Sequence, residues 1–318
     1  MSMMRSFRLA VAQFEPVVAD TKANLAKIAE LAAQAAKQGA HVVCFQEQAV
    51  CGYRFRDPDR EKIEPIKGDG GRVSPAWGVV ADWQYEMAEP VPEGPTTQEL
   101  VRIARENNVV VTAGMHELAE SNDVFNAYLL VGPNGLIGRY HKVHLVPGGE
   151  HVYFKAGQGF PVHDIGPCMA GTLICYDNHH PEAHRILALR GAHLILMPHV
   201  TTGRNLWKEM SIPDAQQQAR NWILTWLRAR AFDNAVYCAF INQGSNSGED
   251  ALGCSMVVNP DGHVIAQTAK TGEDLAVADI DADLFYTVRR RTHHYQRYRR
   301  PELYGPLTDP TFGAKWGV

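Results

Sequence analysis

The chain says one thing twice. GAHVVCFQE (39–47) returns as GAHLILMPH (191–199), NVVVTAGMHE (108–117) as NAVYCAFINQ (234–243), and YLLVGPNGLIGRYHK (128–142) as SMVVNPDGHVIAQTAK (255–270). The first pair follows a helical pattern in each case, so both halves read strand, helix, strand, helix, strand, strand, strand. Such self-similarity marks a duplicated supersecondary unit. Two α/β halves of like order bury their apolar faces most simply by stacking sheet on sheet with helices outside. The repeat therefore predicts an α/β fold, a four-layer αββα sandwich, counted as one domain over residues 1–318.

Local patterns supply the elements. Between Asp20 or Thr21 and Gly39, Leu25, Ile28, Ala29, Ala32 and Ala35 recur at three-to-four spacing behind a polar cap, which predicts a helix. Thr96 and Thr97 are expected to cap a second helix carrying Leu100, Ile103 and Ala104. Phe7, Leu9, Val11 and Gln13 alternate as a strand does, and Pro133-Asn134-Gly135 and Pro260-Asp261-Gly262 mark hairpin turns. Two stretches break the repeat. Residues 51–95 hold many Pro, Gly and charged residues and follow Glu47 directly, so a lid or a wall of the substrate pocket is expected there. Residues 289–318 begin with a very basic run, read as a solvated or subunit-contacting arm.

Composition excludes several functions. With 31 Lys and Arg against 35 Asp and Glu, the chain has no global basic field for nucleic acid or an anionic membrane. No apolar run reaches the roughly 18 to 20 residues of a membrane helix, and the N-terminal stretch lacks a signal-peptide core, so a cytoplasmic protein is expected. No GxGxxG or GxxxxGK[ST] follows a strand, which argues against nucleotide chemistry. His179-His180 and His293-His294 are adjacent pairs without the i, i+4 spacing of a helical zinc site, so neither metal nor cofactor is expected. The six cysteines form no CxxC pair and are read as thiols. Cys44, Cys238 and Cys254 lie in apolar runs, where cysteine behaves as a small buried hydrophobe.

Cys175 differs, because it ends the run GTLIC and is followed at once by polar residues. A thiol between strand and helix sits near backbone N–H groups, which favour a thiolate. Glu47 ends a second apolar run, HVVCFQE, and Lys142 leaves a third, RYHK. A carboxylate, an ammonium and a thiol are the groups needed to attack a carbonyl or nitrile carbon, move the proton and hold the oxyanion.

The surroundings of these three residues resemble the carbon–nitrogen hydrolase (nitrilase) superfamily, from about Phe7 into the C-terminal region. Phe45-Gln46-Glu47, Tyr140-His141-Lys142-Val143-His144-Leu145 and Cys175-Tyr176-Asp177-Asn178-His179-His180-Pro181 carry the resemblance, the first and last being closest to the β-ureidopropionase branch. It implies Cys175 as nucleophile, Glu47 as general base, and Lys142 with the backbone N–H of Tyr176 as oxyanion donors. Glu150, before an aromatic pair, is similar to the second glutamate that orients lysine and substrate in carbamoylases. The resemblance implies an N-carbamoyl amino acid or ureido amidohydrolase, with a general amidase and then a nitrilase as alternatives, and a homodimer or larger homo-oligomer. One departure concerns specificity. β-Ureidopropionases carry an arginine three residues after the nucleophile, where this chain has Asn178; Arg204, or Arg54 and Arg56, are the substitutes for meeting a substrate carboxylate. Asn178, His179, His199 and Arg204 are the candidate substrate-binding residues.

Overall fold

The structure, a computed structural model, describes residues 3–53, 66–67, 73–74, 85–147, 150–202, 207, 209–245, 252–291, 295–309 and 311. The first half runs β1 (Phe7–Gln13), α1 (Thr21–Lys37), β2 (Val42–Cys44), α2 (Pro95–Asn107), β3 (Val110–Leu118), β4 (Val124–Gly132) and β5 (Gly135–His141). After β6 (Val162–Asp164), the second half repeats it as β7 (Met169–Thr172), α3 (Pro181–Leu189), β8 (Leu194–Pro198), α4 (Ile212–Asn234), β9 (Tyr237–Ile241), β10 (Met256–Val258) and β11 (Val264–Gln267). The edge strand β12 (Asp274–Ile280) and α5 (Ala282–Arg290) follow.

The duplication extends to every pairing. One sheet has the order β12-β1-β2-β3-β4-β5, and the other, read from its β6 edge, β6-β7-β8-β9-β10-β11. In both, the central three strands are parallel and the flanking ones antiparallel. The chain thus closes on itself, because β12, next to last in the sequence, completes the sheet that β1 began.

Period-two alternation assigns the layers. Leu9, Val11, Val42, Cys44, Tyr128 and Leu130 share a core with Leu194, Leu196, Phe240 and Met256 of the second sheet. The intervening Ala10, Ala12, Val43, Phe45, Leu129 and Val131 face the other way, onto Leu25, Ile28 and Leu31 of α1 and Leu100 and Ile103 of α2. Ala219, Ile223 and Leu227 of α4 close the second sheet. The αββα order follows.

Two local expectations change. Asp20 caps α1 by accepting from Ala23 N, but α2 is capped otherwise. Gly94 is its N-cap and Pro95 its first residue, while Thr96 and Thr97 lie buried inside the first turn. The anion is Glu89, whose carboxylate accepts from Thr96 N and Thr96 Oγ1, both at 2.7 Å. A carboxylate is favoured at this positive helix end and satisfies an orphan N–H as well. The basic arm also begins later than position 289. Arg289 and Arg290 complete α5, with Arg289 over the Phe285 ring at 4.5 Å and hydrogen-bonded to Ala235 O. Within 51–95, Ile66–Lys67 pairs antiparallel with Val73–Ser74, and most of the remainder, with Arg54 and Arg56, lies outside the described residues.

Candidate active site

Glu47, Lys142 and Glu150 come from three separate pieces of chain and meet in the interior, each at most 1% exposed. Glu47 sits three residues past β2, where the backbone turns through Gln48 at a φ of 49°. The turn presses against β3 so closely that a Cβ on Gly114 would lie 2.2 Å from Gln48 N. Glycine is required there by close approach rather than by its dihedrals. Lys142 follows β5 directly, anchored by Lys142 N to Asn126 O at 3.0 Å and Gly157 N to Lys142 O at 2.8 Å. Glu150 opens a short 3₁₀ turn (Glu150–Val152).

Lys142 Nζ donates to Glu47 Oε1 at 2.9 Å and to Glu150 Oε1 at 2.7 Å. An ammonium has three protons, so these two bonds leave one for a substrate. Asn126 Nδ2 donates to Glu47 Oε1 at 2.7 Å, and Val146 N to Glu150 Oε2 at 2.7 Å. Tyr53 OH approaches Glu150 Oε1 at 3.5 Å. Glu47 Oε2 has no hydrogen-bond partner among the described residues although it is buried. An orphaned buried carboxylate oxygen is costly, and calls for an explanation in function.

Cys175 supplies the thiol. Its backbone has a φ of 46°, a left-handed conformation that costs a non-glycine residue about 1–2 kcal/mol. It begins a 3₁₀ turn (Cys175–His179), and the α-helix starts only at Pro181. Of the six cysteines it alone is partly exposed, the others being buried to 1% or less.

The electrostatics correct the thiolate expectation. Burial, then Glu47 and Glu150, raise the Cys175 thiol well above its ordinary pKa, and Lys142 only partly opposes them. Burial is the largest of these effects. The folded site thus disfavours the Cys175 thiolate. Burial also raises Glu47, against the pull of Lys142. For Lys142 burial acts downward, but the carboxylates of Glu47 and Glu150 prevail and hold it above its ordinary value as a firm cation.

The substrate-binding candidates divide. Asn178 is fully buried, its Nδ2 2.9 Å from Leu173 O, 2.9 Å from His199 Nε2 and 3.2 Å from Cys175 O. His199, equally buried, places Nδ1 3.1 Å from Thr201 Oγ1 and stacks on Trp226. Both brace the nucleophile turn through these contacts. Burial holds His199 well below its ordinary pKa, so its Nε2 accepts from Asn178. His179 is half-buried between Trp222 and Trp226 and beside Tyr176, and burial lowers its pKa to about 4. Tyr176, next to the nucleophile, is partly exposed. Arg204, with His293 and His294, lies outside the described residues. No group of three or more His, Cys, Asp or Glu suited to a metal occurs among the described residues.

Asn126 was missed by reasoning from sequence, yet it donates to both glutamates, the second at 3.4 Å. The available signal was an amide at an inward position of an apolar strand, FNAYLL, where a buried polar group needs a partner.

A sandwich of duplicated halves thus carries a carboxylate, an ammonium and a thiol at its strand ends. The carbon–nitrogen hydrolase family model matches residues 8–290, and the chain belongs to that family, the nitrilase superfamily. A nitrilase from Pyrococcus abyssi is 30% identical over 286 residues, covering 89% of this chain and 92% of its own. An omega-amidase from Xenopus laevis is 31% identical over 318 residues, covering 95% and 98%. Among solved structures, a carbon–nitrogen hydrolase from Helicobacter pylori matches with a TM-score of 0.75 at 23% identity, covering 95% of this chain and 98% of that one. A variant of the amidase from Nesterenkonia sp. AN1, bearing the acetamide moiety of fluoroacetamide on its active-site cysteine, matches with a TM-score of 0.68 at 23% identity over 95% and 97%. No helix among the described residues is long and apolar enough to cross a membrane.

Proposed function

We propose that the protein is a cofactor-independent amidohydrolase of small linear amides or ureido compounds, with Cys175 as nucleophile, Glu47 as general acid and base, and Lys142 as oxyanion donor. The observation that carries this reading is the uncommitted Oε2 of Glu47 beside an ammonium with one proton to spare. As Cys175 Sγ attacks the carbonyl carbon, its proton passes to Glu47, and the oxyanion takes the third N–H of Lys142 and the backbone N–H of Tyr176. Glu47 returns the proton to the departing nitrogen, which leaves as ammonia. Water then gives its proton to Glu47, attacks the thioester, and the sulfur leaves as thiol. Raising the pKa of both Glu47 and Cys175 suits this sequence, because the base is stronger than an exposed carboxylate and the thiol keeps its proton until attack. Glu150 orients the lysine.

Amides are the favoured class, in keeping with the omega-amidases among the relatives. The Phe-Gln-Glu and Cys-Tyr-x-x-His-His-Pro motifs support a second reading, hydrolysis of an N-carbamoyl amino acid to ammonia, CO2 and the amino acid. In that case an arginine must meet the substrate carboxylate, since Asn178 is spent on Leu173 and His199, and Arg204 is the candidate. Ammonia release from amides, N-carbamoyl amino acids and nitriles separates the readings. Faster turnover of neutral amides with a silent Arg204→Ala selects the amidase. A steep rise in KM for carboxylate-bearing substrates in Arg204→Ala selects the carbamoylase, and no release from any of the three defeats both.

A further inference from the structure

The Asp177 carboxylate has four acceptor positions filled, three of them by groups that bracket the lysine. Its Oδ2 accepts from Tyr140 OH at 2.7 Å and Ile174 N at 3.0 Å, and its Oδ1 from His144 N at 2.7 Å and His144 Nδ1 at 2.8 Å. It is fully buried. Tyr140 and His144 stand two residues before and two residues after Lys142, while Asp177 stands two residues after Cys175. The lysine segment leaves one sheet and the cysteine turn leaves the other. Three of these bonds, from Tyr140 and His144, are therefore a polar tie between the two segments at the place where ammonium and sulfur must keep a fixed separation, and the fourth, from Ile174, fastens Asp177 to its own turn.

We infer that Asp177, with Tyr140 and His144, is a positioning clasp that sets the placement of the Cys175 thiol relative to Lys142 and Glu47. The inference rests on the catalytic assignment above and adds residues to it. A charged acceptor shared by three donors makes strong bonds, and one filled on every side has a single favourable position. The clasp also pins Ile174, the residue before the left-handed Cys175, and so helps hold that conformation. Asp177, fully buried with its acceptor positions taken, acts through the geometry of the groups that react. Misplacement on the scale of an ångström costs on the order of 10²-fold in rate without needing to alter substrate binding.

The test reads thiol chemistry and turnover separately on folded protein. Tyr140→Phe keeps the ring and removes one donor, and His144→Ala removes another. His144→Asn restores an N–H near the place of Nδ1. Iodoacetamide alkylation of Cys175, followed by mass spectrometry, should slow roughly tenfold in Tyr140→Phe and His144→Ala, with kcat falling in parallel and KM within about twofold. His144→Asn should recover most of both rates. If wild-type Cys175 is labelled and the variants match it per folded molecule in alkylation and kcat, the clasp is only structural and the inference is overturned. Wild-type protein whose Cys175 resists labelling while it turns substrate over would overturn the catalytic assignment, and the clasp with it.

Discussion

Position for position, the two halves of the molecule present the same strand ends with opposite outcomes. Glu47 ends the GAH motif of the first half, and His199 ends that of the second. One is an ionisable group raised by burial and left with a free oxygen; the other is a histidine held neutral and bonded on both nitrogens. Lys142 and Lys270 end the matching hairpins, the first buried between two carboxylates and the second exposed. Duplication supplied two equivalent sets of strand ends. What separates them is the chain that closes over each: the Glu150 turn and Asn126 enclose Lys142, and the corresponding loop beside Lys270 leaves it in solvent.

The largest effects should follow that division. Cys175→Ala should abolish turnover with the fold intact by circular dichroism. Lys142→Ala should lose on the order of 10² or more in kcat, since it removes the oxyanion charge, and Glu47→Gln should be similarly crippled because an amide cannot carry the proton. Lys142→Ala also leaves Glu47 and Glu150 buried without their cation, so its melting temperature should fall; loss of one partner from a buried pair costs about 3–5 kcal/mol. Near-normal turnover in either variant would break the assignment. His199→Ala should show the reverse, a loss of stability of about 1–3 kcal/mol as its buried contacts with Asn178, Thr201 and Trp226 are lost, with a smaller effect on kcat in the protein that remains folded.

Much of this architecture was legible from the chain, for a physical reason. The sandwich follows from recurring apolar strings and turn residues, which are local signals. The edge strands β6 and β12 escaped because Val162–Asp164 is too short to show a period and Asp274–Ile280 lies outside the echoed strings. Glu47, Lys142 and Cys175 stood out because charged or reactive groups end apolar runs. Asn126, Tyr140 and Asp177 did not, because their roles are contacts between segments 24 to 79 residues apart in sequence. The burial and charges that oppose a thiolate were hidden from the sequence for the same reason. The flanking turn of Cys175 argues for a thiolate, and the opposing carboxylates are visible only once the chain has folded.

Acid should find the second half first. Burial lowers His184 to about 3, His193 to about 4 and His179 to about 4, and pulls His199 well down, all between residues 179 and 199. A histidine whose folded pKa lies below its unfolded value of about 6.5 binds fewer protons in the native state. Stability is then intact above pH 6.5 and is lost as the pH falls from there toward about 4 and about 3. Hydrogen exchange at pH 4.5 should show β7 and β8 losing protection while β1 and β2 keep theirs. Uniform loss across both sheets would show that the carboxylates, rather than these histidines, govern acid unfolding.

The smallest effect is the sharpest check on the comparison. Lys270 occupies the place of Lys142 in the duplicated hairpin, so a reading based on topology alone would assign it importance. Its backbone, not its side chain, holds the interface: Lys270 O accepts from Gln13 Nε2 at 2.9 Å and Lys270 N donates to Asp274 Oδ2 at 2.9 Å. Both bonds survive truncation of the side chain. An exposed substitution away from caps, pairs and strained backbone changes stability by at most about 0.5 kcal/mol. Lys270→Ala should therefore leave kcat, KM and the melting temperature at wild-type values. A loss of turnover in Lys270→Ala comparable to that in Lys142→Ala would mean that the second half contributes a charge to the reaction, and that enclosure is not what distinguishes the two strand ends.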